Sequence, residues 1–133
     1  MSKLIATIKT INNVENLNIV EFDFLNISLK MMSLDLNSDV QIGKKVKLSV
    51  NPTSISIAKN FVGEISLSNQ LTAIIKDIEN GKLLSSVTLK IDNFLLESII
   101  TTDSSKRMNL QIGDEVKILI KASSLSIEEV LND

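Results

Sequence analysis

The chain has 133 residues, a net charge of −2 and neither cysteine nor histidine, which removes disulfides, thiol nucleophiles, zinc sites and histidine acid–base catalysis together. Apolar residues make up 44% but aromatic ones only 3%, and 14 basic residues stand against 16 acidic ones, so the core must be aliphatic and both the stacking rings and the basic surplus of a nucleic-acid binder are missing. No charged-then-apolar leader and no apolar run of about 18 residues appear, so the expectation is a cytoplasmic protein with no cofactor, no membrane partner and no nucleic-acid partner of its own.

In chain order, "LIATIKTI" (4–11) reads as the first strand. Val20, Phe22 and Phe24 then alternate inward against Glu21 and Asp23 outward, the period of a half-buried strand. The hairpin that should follow carries no turn signal. "QIGKKVKLSVNPTSISI" (41–57) comes next, and "AKNFVGEISLS" (58–68), with Gly63, reads as a linker. "LTAIIKDI" (71–78) is a strand, and "ENGK" (79–82) a hairpin turn in which Asn80-Gly81 supplies positive φ. "LLSSVTLKI" puts Val87, Leu89 and Ile91 on one face; Asp92-Asn93 is a tight turn, and "FLLESIIT" returns. "TDSSKRMNL" is a short helical turn capped by Thr102 or Asp103, with Gly113 ending it. "EVKILIK" alternates again with Val116, Ile118 and Ile120 inward, and "LSI" closes the set.

The elements repeat. Residues 41–57 align with "QIGDEVKILIKASSLSI" (111–127) at an offset of 70, and 4–11 align with 71–78 at an offset of 67. Five short strands in a unit of this size predict an all-β protein: two tandem OB-like five-stranded barrels, each with one short helical turn, a β-sandwich being the alternative. The boundaries read as a first barrel over 1–58, a linker over 59–68 and a second barrel over 69–133.

The chemistry-bearing residues sit at strand ends. Lys121, Ser123 and Ser124 follow an apolar strand directly, and a bent strand end exposes successive N–H groups that form an anion-binding concavity. Hydroxyls add donors that rotate to suit a ligand, and lysine adds a point charge. Together they suit a small tetrahedral oxyanion. Thr101 and Thr102 start the helical turn, another place that favours an anion. Ser66, Ser68 and Asn69 lie in the linker and at the start of the next strand. Taken singly, the Lys-Ala-Ser-Ser run reads as a solvated turn, the Thr pair as a helix cap and the serines as linker. No carboxylate pair sits in an apolar frame and no Gly-rich phosphate loop exists, so nothing points to an enzyme.

"SLSNQLTAIIKDI", "ESIITTDS" and "LQIGDEVKILIKASSLSI" resemble the Mop, or TOBE-type, molybdate-binding domain. The tandem copies look like di-Mop molbindins and like the sensing half of the molybdate-responsive regulator. The resemblance implies an OB-like barrel, homo-oligomerisation (a trimer favoured, a dimer the alternative), molybdate or tungstate bound between barrels, and no catalysis. It carries an oxyanion-binding role onto Ser66, Asn69, Thr101, Lys121, Ala122, Ser123 and Ser124, and onto Ser68 at a position where the family usually has Arg. In the first copy Asn51 and Pro52 match Lys121 and Ala122, Met31 matches Thr101, and Ser2 falls opposite Asn69. That copy is a weak independent site, with Asn51, Thr53 and Ser54 as lesser candidates. Pro52 has no N–H to donate. The implied function is cytoplasmic storage, buffering or sensing of molybdate or tungstate. The alternative is a ligand-free TOBE-type interaction or regulatory module acting through a partner protein.

Overall fold

The computed structural model describes residues 2–131. The first repeat forms strands β1 (Ser2–Val14), β2 (Leu17–Phe24), β3 (Ile27–Ser33), β4 (Lys45–Val50) and β5 (Ser56–Ala58), with a 3-10 turn at Pro52–Ser54. The second forms β6 (Asn69–Asn80), β7 (Leu84–Ile91), β8 (Phe94–Thr101), β9 (Glu115–Ile120) and β10 (Leu125–Val130). It adds one short helix, α1 (Thr102–Arg107), and a 3-10 turn at Ala122–Ser124.

Two five-stranded antiparallel sheets result, in the orders β10-β4-β1-β2-β3 and β5-β9-β6-β7-β8. Each OB-like unit therefore takes its last strand from the other repeat. "LSI" does not close the sheet of its own repeat: Leu125 pairs with Val50 and Ile127 with Leu48. In return, Ser56–Ala58 pairs with β9. The physical cause is the 3-10 turn at the end of β4 and of β9, which redirects the chain across the seam. Each turn then packs on the far edge strand, Pro52–Ser54 on β8 and Ala122–Ser124 on β3.

The core is aliphatic, as the composition requires. Val20, Phe22 and Phe24, then Val87, Leu89 and Ile91, then Val116, Ile118 and Ile120 are all buried. Full burial of side chains of this kind contributes about 1.5–3 kcal/mol each before entropy is counted. One cluster joins both halves, Leu4, Leu48 and Ile55 being continuous with Leu71, Ile118 and Leu125.

Two turns differ from the expectation. The β2–β3 hairpin is a two-residue turn at Leu25-Asn26, both at positive φ (50° and 65°). This is the type I′ pattern, hidden in the sequence because Leu is a poor match to it. In the "ENGK" turn, Gly81 is not at positive φ. It is needed for space, since a Cβ there would stand 2.7 Å from the Leu84 carbonyl oxygen.

The pairing also corrects one equivalence. Ile27 faces Phe24 in the first hairpin, and Phe94 faces Ile91 in the second. The offset of 67 thus persists through the third strand of each repeat, and the insertion falls later, at α1. Thr101 is therefore matched by Leu34, and Met31 by Ser98.

Candidate functional site

Lys121 ends the run out of β9 and takes the N-cap position of the turn Ala122–Ser124, with no side-chain capping bond. Its side chain has no acceptor with which to fold back. The Ser124 N–H closes the turn on the Lys121 carbonyl at 3.0 Å. The Ala122 and Ser123 amides have no partner among the described residues, and neither has the Ser123 hydroxyl nor the Lys121 ammonium. Two consecutive N–H groups, a hydroxyl and a cation are thus left without a partner, and their three residues border one cavity.

That cavity is shallow, about 240 Å³, and lined by Ser66, Leu67, Ser68, Lys121, Ala122, Ser123 and, from β3, Met32. It lies where the linker and the second repeat's turn meet the first repeat's edge strand. Its polar side chains are one lysine and three serines, with no carboxylate among the lining residues. Lys121 also borders a neighbouring cavity of about 290 Å³ with Thr53, Ser54, Ser56, Leu67, Leu119 and Ser124. A larger cavity of about 350 Å³ is lined by Asp35, Asp39, Glu128 and Glu129 among others, a lining that repels an oxyanion.

The first repeat's turn is built differently. Asn51 occupies its N-cap, and its Oδ1 accepts from the Thr53 N–H at 3.1 Å and the Thr53 hydroxyl at 3.0 Å. The Ser54 N–H closes on the Asn51 carbonyl at 2.8 Å. With Pro52 lacking an N–H, the Asn51 carboxamide takes up the donors that Lys121 leaves open in the second copy.

Two expected residues have structural partners. Asn69 is fully buried, and both polar atoms of its side chain bond the backbone of Lys30 across the seam. Thr101 is exposed, lies outside both cavities and caps α1, accepting from the Ser104 N–H at 3.1 Å. Thr102 is buried, with its hydroxyl 2.9 Å from Ser85 Oγ and 2.9 Å from the Gly81 carbonyl. Met32 and Leu67 line the site unforeseen. Leu67 could have been found between Ser66 and Ser68. Met32 comes from the other repeat, and no local signal marks it. The two carboxylates held below their ordinary range, Glu21 chiefly by the Ser28 hydroxyl and Asp114 chiefly by the Gln111 N–H, do not line the Lys121 cavities. Among the described residues no group of acidic side chains could hold a metal cation.

The TOBE domain family model matches residues 65–127. The chain is 34% identical over 65 residues to the probable molybdenum-pterin-binding protein of Haemophilus influenzae, covering 48% of this chain and 94% of that protein. It is 27% identical over 110 residues to the molybdate/tungstate import ATP-binding protein WtpC of Pyrococcus horikoshii, covering 83% of this chain but 32% of that protein. The chain thus spans about a third of that relative's length. In fold it is similar to a crystal structure of the cytoplasmic molybdate-binding protein ModG with molybdate bound, with a TM-score of 0.84, 21% identity, and 94% of this chain and 93% of that one covered.

Proposed function

We propose that this chain, which belongs to the Mop/TOBE-type molybdate-binding family, captures molybdate or tungstate reversibly in the cavity around Lys121. It is a binding module and not an enzyme. The observation that carries the reading is the set of unspent donors at Lys121, Ala122 and Ser123, in a cavity whose other polar groups are the Ser66 and Ser68 hydroxyls. A tetrahedral dianion accepts from every direction and donates nowhere. Phosphate, partly protonated near neutral pH, brings an O–H that needs an acceptor, and among the lining side chains only a serine hydroxyl can take it, which turns that hydroxyl's oxygen toward a donor rather than its hydrogen toward the anion. Hydroxyls in the neighbouring cavity, from Ser54 and Ser124, extend the donor surface on the other side of Lys121.

The biological role that fits is storage, buffering or sensing in the cytoplasm, by a homo-oligomer, a trimer being favoured, whose packing covers the open side of the cavity. Among the described residues no helix is long and apolar enough to cross a membrane. The test is a thermal shift with millimolar molybdate, tungstate, sulfate and phosphate. A micromolar site stabilises by about 4 kcal/mol at a thousandfold excess of ligand. A shift with the first two, and little with phosphate, is expected. No shift with any of the four overturns the reading and leaves the ligand-free module, for which Ser68 in place of the family's Arg is the favouring observation.

A further inference from the structure

The exchanged strands end in opposite charges. The first arm, β5, runs on through Ala58 into Lys59; the second, β10, contains Glu128 and Glu129. The corners that receive them are also opposite. The turn before β9 reads Gly113-Asp114-Glu115, and the repeat-equivalent turn before β4 reads Gly43-Lys44-Lys45.

The crossing matches the signs. Lys59 reaches Asp114 at 3.0 Å and also donates to the Met108 and Asn109 carbonyls at 3.2 and 2.8 Å. Glu128 is paired with Lys3, and Glu129 lies 3.5 Å from Lys47. The end of the second arm is tied to the basic corner by the Leu131 N–H on the Lys45 carbonyl at 2.8 Å.

Folding each arm back on its own repeat would reverse this. Lys59 would meet Lys44 where it now meets Asp114. Glu128 would meet Gln70, the counterpart of Lys3, and Glu129 would run beside the Asp114-Glu115 corner. Lys47 and Lys117 are equivalent and alike, so they contribute nothing to the choice. We propose that charge selects the partner of each arm-receiving surface: the first repeat's edge takes an acidic strand, the second repeat's a basic one, and the arms therefore cross. Exposed ion pairs are individually weak, but here each also replaces a like-charge or unpaired alternative, so their effect on the choice exceeds their effect on stability alone.

The test uses the intact chain. K59E/E128K reverses both arms and should lower the thermal midpoint by about 4 °C or more at low salt. Adding K3E, which restores the Lys3–Glu128 pair with its signs exchanged, should recover a quarter or more of that loss, and the difference should shrink in about 1 M salt. A role in packing alone predicts no recovery. Zero-length carbodiimide cross-linking of the wild-type chain, mixed with isotope-labelled chain, should give Lys3–Glu128 and Lys59–Asp114 links, and it stands even if a variant does not fold. An unchanged midpoint in K59E/E128K, no recovery on adding K3E, or absence of both links overturns the proposal.

Discussion

Asn69 grips Lys30 across the seam at two points: its Oδ1 accepts the Lys30 N–H at 2.6 Å and its Nδ2 donates to the Lys30 carbonyl at 2.9 Å. The side chain imitates one residue of a paired strand and satisfies both backbone groups of Lys30 on the outer edge of β3, beside which no further strand lies among the described residues. Asn69→Ala leaves two backbone groups without partners at a closed seam. It should lower stability by about 2–4 kcal/mol, measured by urea unfolding. Asn69→Asp keeps the shape but loses the donor, and should cost a comparable amount.

The two turns should respond differently to truncation. Lys121→Ala removes the sole cation of the cavity and should weaken molybdate binding by about tenfold or more, with little change in stability. Asn51→Ala removes a cap and should cost roughly 1 kcal/mol of stability, with little change in affinity. Equal losses of affinity in a calorimetric titration would count against the asymmetry between the repeats.

Ser68 lines the Lys121 cavity and is exposed. Ser68→Arg places a planar fork of donors at its rim. A charge-assisted bond worth about 1.5–3 kcal/mol tightens binding by roughly 10- to 150-fold. Competitive titration against the wild-type chain measures the change.

Asp114 is held below the usual carboxylate range, first by the Gln111 N–H and then by Lys59. A depressed carboxyl contributes stability that is complete above its unfolded value and is lost as pH falls through the folded one. The chain should therefore lose stability below about pH 4. Asp114→Asn should lower stability near neutral pH and flatten that acid limb, read as thermal midpoint against pH.

Much of this was legible in the residues. The duplicated "QIG…SI" blocks gave the repeat, and the period-two runs gave the inward faces of β2, β7 and β9, because alternation reports burial directly. The strand exchange was not legible, since an apolar strand reads the same whichever sheet it joins. Leu25-Asn26 hid a hairpin behind a residue that seldom takes positive φ. At the site, the free donors of Lys121-Ala122-Ser123 were visible as residue types. The bond from Asn69 to Lys30 was not legible, because the sequence position of Asn69 says nothing of a residue 39 positions away. Met32 was invisible for the same reason: the cavity wall it forms belongs to the other repeat.

The measurement that bears most directly on the central claim is an anomalous-scattering map from crystals grown with tungstate. A tungsten peak is expected within hydrogen-bonding reach of the Ala122 and Ser123 amides and the Lys121 ammonium. Tungsten bound elsewhere, with that cavity empty in crystals of a chain that tungstate stabilises, would contradict it.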